Sequence, residues 1–182
     1  MIRFNLSLLA LISTLTLSAT SAFAQSASVS STATIVTPVT AAATAPLAFG
    51  TISKGSAATI AGTSSSAAAV TFSGDESDNI TIAIPSTVTI TTTSGAGASM
   101  TVTLNRAAAR VATTPVQSAG ATLDASSGTA TTALSTDASG DAVVGDGLGQ
   151  AYVWIGGTVT PTATQQRGSY SGTFTVSAAY SN

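Results

Sequence analysis

Residues 79–91 read Asn-Ile-Thr-Ile-Ala-Ile-Pro-Ser-Thr-Val-Thr-Ile-Thr, and this stretch decides the fold. Ile80, Ile82 and Ile84 fall on one side of an extended chain, Thr81 and Ala83 on the other. After Pro85 the alternation resumes, with Val88 and Ile90 against Thr87, Thr89 and Thr91. A period of two marks a half-buried strand, because successive side chains of extended backbone point to opposite faces. The branched β-carbons of Ile, Val and Thr suit a pleated surface, and Pro85, which has no N–H, interrupts the ladder.

The same pattern recurs outward from that stretch. Met100, Val102 and Leu104 alternate with Thr101, Thr103 and Asn105, and Tyr152, Trp154 and Gly156 interleave with Val153 and Ile155. Phe174, Val176, Ala178 and Tyr180 oppose Thr173, Thr175, Ser177 and Ala179. Shorter candidate strands lie at Leu47–Ile52, Ala57–Ala61, Ala67–Phe72 and Thr131–Leu134, punctuated by glycines such as Gly50, Gly55, Gly62 and Gly74. Arg106–Ala112 reads as a turn of helix too short to stand alone. The expectation is an all-β chain: a single immunoglobulin-like antiparallel sandwich of about seven to nine strands. The Gly-, Ser-, Thr- and Asp-rich residues 119–149 read as a long connection.

Composition removes most chemistry. The 182 residues include 5 Lys+Arg, 7 Asp+Glu, no His and no Cys, and charged residues make up 7%. Without His or Cys there is no zinc or iron–sulfur site built on those ligands, no disulfide and no His-based triad. A net charge of -2 offers no basic footprint for nucleic acid. Thr and Ser number 33 and 27, the profile of a β-rich, poorly charged surface protein. The expectation is a protein that is not an enzyme.

The first 24 residues read as an address. Arg3 precedes the apolar run Leu6–Leu17, and Ala22-Phe23-Ala24 supplies the small residues of a signal-peptidase site. Twelve residues are too few to span a bilayer, which takes about 20. Cleavage after Ala24 is expected, giving an exported product of the periplasm and cell surface with no transmembrane anchor. The mature chain divides into an extended arm with its joint, residues 25–45, and a sandwich, residues 46–182. In the arm, Ala33, Ile35, Thr37 and Val39 alternate with Thr34 and Val36, and Ala41–Ala45 reads as a flexible joint. An extended arm can complete a neighbour's sheet by β-strand addition or fold back as the first strand of its own domain, and both remain open.

Candidate sites are few. Asp75, Glu76 and Asp78 form the main acidic cluster and are weak candidates for a hard cation, since the spacing of a dedicated calcium loop is absent. Asp137, Asp141 and Asp146 are weaker still. Lys54 reads as an exposed turn, Tyr152 and Trp154 as core more readily than as a sugar-stacking patch. No catalytic set emerges.

Ile35-Val36-Thr37-Pro38, Leu47-Ala48-Phe49-Gly50-Thr51-Ile52, Ile155-Gly156-Gly157-Thr158-Val159 and Gly168-Ser169-Tyr170-Ser171-Gly172-Thr173-Phe174-Thr175-Val176 with Tyr180 occur in this order. Together they resemble the bacterial secreted family known as domain of unknown function 4402. That resemblance implies no established activity, catalytic residue or cofactor. The ending, with Gly168 twelve residues before Tyr180, is also similar to chaperone–usher pilus subunits and spore-coat-U-like proteins. This implies an incomplete sandwich completed by another chain's strand, with related fimbrial subunits, a periplasmic chaperone and an outer-membrane usher as partners. The expected function is a non-enzymatic subunit of a surface filament or fimbria-like assembly. Ile35, Val36 and Val39 are its expected donor anchors, and Phe174, Val176 and Tyr180 the receiving side. The alternative is a monomeric exported binding module for glycans.

Overall fold

The computed structural model describes Ile35 and residues 37–92, 98–135 and 148–181. The expected leader, arm residues 25–34 with Val36, and Asp137, Asp141 and Asp146 lie outside the described residues.

Twelve strands are formed among the described residues: β1 Thr40–Ala45, β2 Ala58–Ile60, β3 Ala68–Asp75, β4 Asn79–Ala83, β5 Thr87–Thr91, β6 Ser99–Leu104, β7 Ala109–Ala112, β8 Ala121–Leu123, β9 Thr129–Ala133, β10 Leu148–Ile155, β11 Gly157–Val159 and β12 Ser177–Tyr180. They build three antiparallel sheets, ordered β1-β3-β10-β7-β8, β2-β11-β6-β5 and β12-β4-β9. The count exceeds seven to nine because β1, β7, β8 and β11 form where no strand was expected, while Leu47–Ile52 forms none. The architecture is all-β and sandwich-like, built of antiparallel sheets.

The longest pairing, β3 with β10, shows how sequence sets packing. Phe72 lies opposite Ala151, Val70 opposite Val153 and Ala68 opposite Ile155, so a large side chain usually meets a small one. Phe72, Val153 and Ile155 are fully buried, as are Ile80 and Ile82 of β4 and Val159 of β11. Each such side chain contributes roughly 1.5–3 kcal/mol on burial. Ile80, Ile82 and Ile84 thus form the core they were expected to form, and Ile90 packs half-buried against it.

The opposite face of β10 carries Tyr152 and Trp154. Their rings stack at 6.3 Å and 20°. Trp154 is only 8% exposed, buried on the outer side of the sheet instead of in the main core. The second sheet turns hydroxyls outward. Thr59, Thr158, Thr103 and Thr87 form a row across its four strands, followed by Thr101 with Thr89 and Ser99 with Thr91. The Thr59 and Thr158 hydroxyls lie 2.9 Å apart.

Four expectations need correction. Ala41–Ala45 is no flexible joint: it belongs to β1, which pairs with β3 from Thr40↔Ser73 to Ala45↔Ala69, so the sandwich starts at Thr40 and not at residue 46. Alanine suits several structures, and here the neighbouring strand decides. Residues 119–149 hold more than a connection with the one expected strand, which is β9: β8 also forms within them and β10 begins at Leu148. Arg106–Ala112 is one 3-10 turn, Arg106–Ala108, running into β7. Finally, Leu47–Ile52 forms no strand, and of the expected strand Thr173–Tyr180 only Ser177–Tyr180 is paired.

Candidate functional site

The two stretches that fail to pair stand on either side of one groove of about 1360 Å³. Along one wall run Ala41, Ala43 and Ala45 of β1, continued by Leu47 and Phe49; along the other runs Gly168–Val176. Val70, Val88, Ile90 and Met100 line it from β3, β5 and β6. All four are half-buried and pack against the core. β1 and β5, both of which line it, are each the last strand of their sheet, so the groove lies beside two sheet margins.

Local chemistry holds the second wall in place. Ser171 makes a two-way backbone bridge with Thr91 at 2.9 and 3.0 Å. Gly172 lets the wall approach this closely, because a β-carbon there would collide with the Thr89 carbonyl. Tyr170 donates to the Gln166 carbonyl at 2.9 Å and accepts from Gln165 Nε2 at 2.8 Å, closing the Gly168 end. Between Ser171 and Ser177 the chain belongs to no ladder, yet Phe174 and Val176 turn inward and Thr173 and Thr175 outward. That is the alternation of a strand with no ladder partner among the described residues.

A latch stands where the arm meets the sandwich. Tyr180 Oη donates to the Thr37 carbonyl at 2.6 Å and accepts the Asp75 amide at 2.6 Å. Asp75 Oδ2 accepts the Thr37 amide at 2.9 Å. Gly74 makes room for the ring, since a β-carbon there would come within 2.5 Å of Tyr180 Oη.

The structure therefore distributes the expected residues. Phe174 and Val176 line the groove, while Tyr180 works in the latch. Val39 packs half-buried against its own core, and Ile35 is 95% exposed. Asp75 ends β3, and Glu76 and Asp78 sit in the turn to β4. There Ser77 takes a positive φ of 60° and donates its amide to the Ser135 carbonyl, while the Asp78 carbonyl accepts the Leu134 amide. Asp75 is engaged by Thr37, and among the described residues no group of three or more Asp, Glu, His or Cys is placed to hold a metal ion. Lys54 is exposed at the groove rim, before Gly55 at φ 73°. Tyr152 and Trp154 border a small hollow of about 180 Å³ with Pro115 and Thr44. Sequence reasoning missed the β1 alanines, Thr37 and Gly74. Residue 42 is alanine as well, so the sequence carried no period-two signal for Ala41, Ala43 and Ala45.

Fold and groove together define a β-sandwich protein with an open apolar cleft between two sheet margins. Residues 23–180 match the family model described as Domain of unknown function (DUF4402), and the chain belongs to that family. No curated protein shows significant similarity to it.

Proposed function

We propose that this protein is an exported, non-enzymatic structural subunit of a bacterial surface filament or fimbria-like assembly, its copies joined by β-strand addition. The supporting observation is the groove, whose wall Gly172–Val176 has the alternation of a strand and no ladder among the described residues. Main-chain hydrogen bonds to such a wall supply affinity, and alternate apolar side chains seated on the floor supply specificity. Several anchors at roughly 1.5–3 kcal/mol each would make a durable joint. Export rests on residues 1–24 acting as a cleaved leader. A periplasmic chaperone that lends a strand to the same groove would keep subunits apart until an outer-membrane usher receives them.

Concentrated mature protein should form multimers that survive heating in detergent, and cells should carry filaments containing it. Protein that stays monomeric at every concentration overturns this reading. The stacked Tyr152 and Trp154 favour the second reading, a monomeric glycan-binding module. Trp154 offers a sugar little surface, however, at 8% exposure. A glycan array on the monomer tests it.

A further inference from the structure

The groove lacks a strand, and the chain carries a segment composed to be one. From Ser26 to Thr34 every even-numbered residue is Ser or Thr, and the odd-numbered ones from 27 to 35 are Ala27, Val29, Ser31, Ala33 and Ile35. Extended, that segment has one hydroxyl face and one face that is apolar but for Ser31. The groove asks for this: its floor is Val, Ile and Met, and its β1 wall is alanine methyls that leave room for small side chains.

Where the arm departs decides whose groove it fills. Both backbone groups of Thr37 are held by Asp75 and Tyr180, and the chain then runs directly into β1, which forms a wall of the groove. To lie in its own groove, the preceding segment would have to reverse within a residue or two of those pinned groups. Ile35, two residues upstream, is instead 95% exposed, whereas Val39 is already used by its own core. Length also fits. Residues 25–36 reach roughly 40 Å when extended and the wall Gly168–Val176 roughly 30 Å, at about 3.3–3.4 Å per residue.

We propose that residues 27–35 of a second copy occupy the groove, with Ala27, Val29, Ala33 and Ile35 turned inward and the even-numbered hydroxyls outward, paired with the backbone of Gly172–Val176. This rests on the assembly reading above and adds its occupant and register.

The test uses the full mature chain. Val29→Asp with Ile35→Asp should abolish multimers, while Ser28→Asp with Thr34→Asp should leave them as in the parent. Ala43→Trp, which plugs the groove from an exposed position, should also abolish them. Mixing the Val29→Asp, Ile35→Asp chain with the Ala43→Trp chain should give one-to-one dimers and nothing longer. In parent multimers, amides of residues 172–176 should exchange roughly tenfold more slowly or better than in monomers, a readout that needs no variant. Multimers that persist in the odd-face variant but vanish in Ala43→Trp would overturn the occupant and leave assembly standing. Loss in the even-face variant alone would overturn the register. An odd-face variant that is monomeric and markedly less heat-stable than a monomeric parent would show insertion into its own groove, overturning the proposal. Absence of parent multimers overturns the assembly reading with it.

Discussion

Tyr180 donates its phenolic hydrogen to the Thr37 carbonyl across 143 residues of chain. The same oxygen accepts the Asp75 amide, so a single side chain ties the start of the sandwich to its last strand and to the end of β3. Two backbone groups therefore depend on one hydroxyl.

Tyr180→Phe removes that hydroxyl and leaves the ring. A buried backbone donor without a partner costs about 1–3 kcal/mol, while the exposed Thr37 carbonyl can turn to water. The expected loss is about 1–2 kcal/mol. Urea unfolding followed by the fluorescence of Trp154, the one tryptophan, should show a lower midpoint at unchanged slope.

Gly74→Ala should destabilise by a comparable or larger amount, about 1–3 kcal/mol, because the new methyl meets Tyr180 Oη and Leu134 Cδ1. Combined with Tyr180→Phe it should cost less than the sum, since Phe lacks the atom struck first. A double-mutant cycle measures that coupling, and strict additivity would refute the steric account.

Phe72 is fully buried opposite Ala151. Phe72→Ala should cost about 3–5 kcal/mol through lost burial and the cavity it leaves. Thr89→Ala, on the exposed hydroxyl face, should stay within about 0.5 kcal/mol. Chemical denaturation of the two variants side by side checks both values.

With no His in the chain, no side chain has an ordinary pKa between about 5 and 8, so stability should be nearly flat there. The Asp124 carboxyl is held below its ordinary value by the Ser126 backbone amide, and secondarily by the Ser126 hydroxyl. A depressed folded-state pKa adds stability above the unfolded pKa, and this is lost as pH falls through the folded value. Asp124→Asn should therefore change the melting temperature slightly at pH 7 and not at all once the parent carboxyl is protonated. Melting curves of both proteins from pH 2 to 8 test this.

Much of the sandwich was legible because alternation depends on burial, which the Ile and Val positions of residues 79–91 declare on their own. Partnership is a different matter. Leu47–Phe49 and Thr173–Val176 have the alternation of strands but belong to no ladder: Ala48 donates a single amide to the Ser66 carbonyl, and Gly50 at φ 66° ends the first run. Period two reports which side of a chain is buried, not what lies beside it. Ala41–Ala45 failed in the opposite sense: alanine carries little signal of its own, and β3 alone recruits it. The latch was illegible because Thr37, Gly74, Asp75 and Tyr180 are brought together only by the finished topology. Of the groove, Phe174 and Val176 could be picked out from one-dimensional pattern, whereas the alanines of β1 could not.

The outward rows of Thr59, Thr158, Thr103 and Thr87, with those that follow, have a consequence for the medium this protein meets. Eight hydroxyl residues and no ions fill those paired positions. Such a wall holds water by hydrogen bonds alone, so dissolved salt has no field there to screen. The hydration of this face should change little with salt concentration.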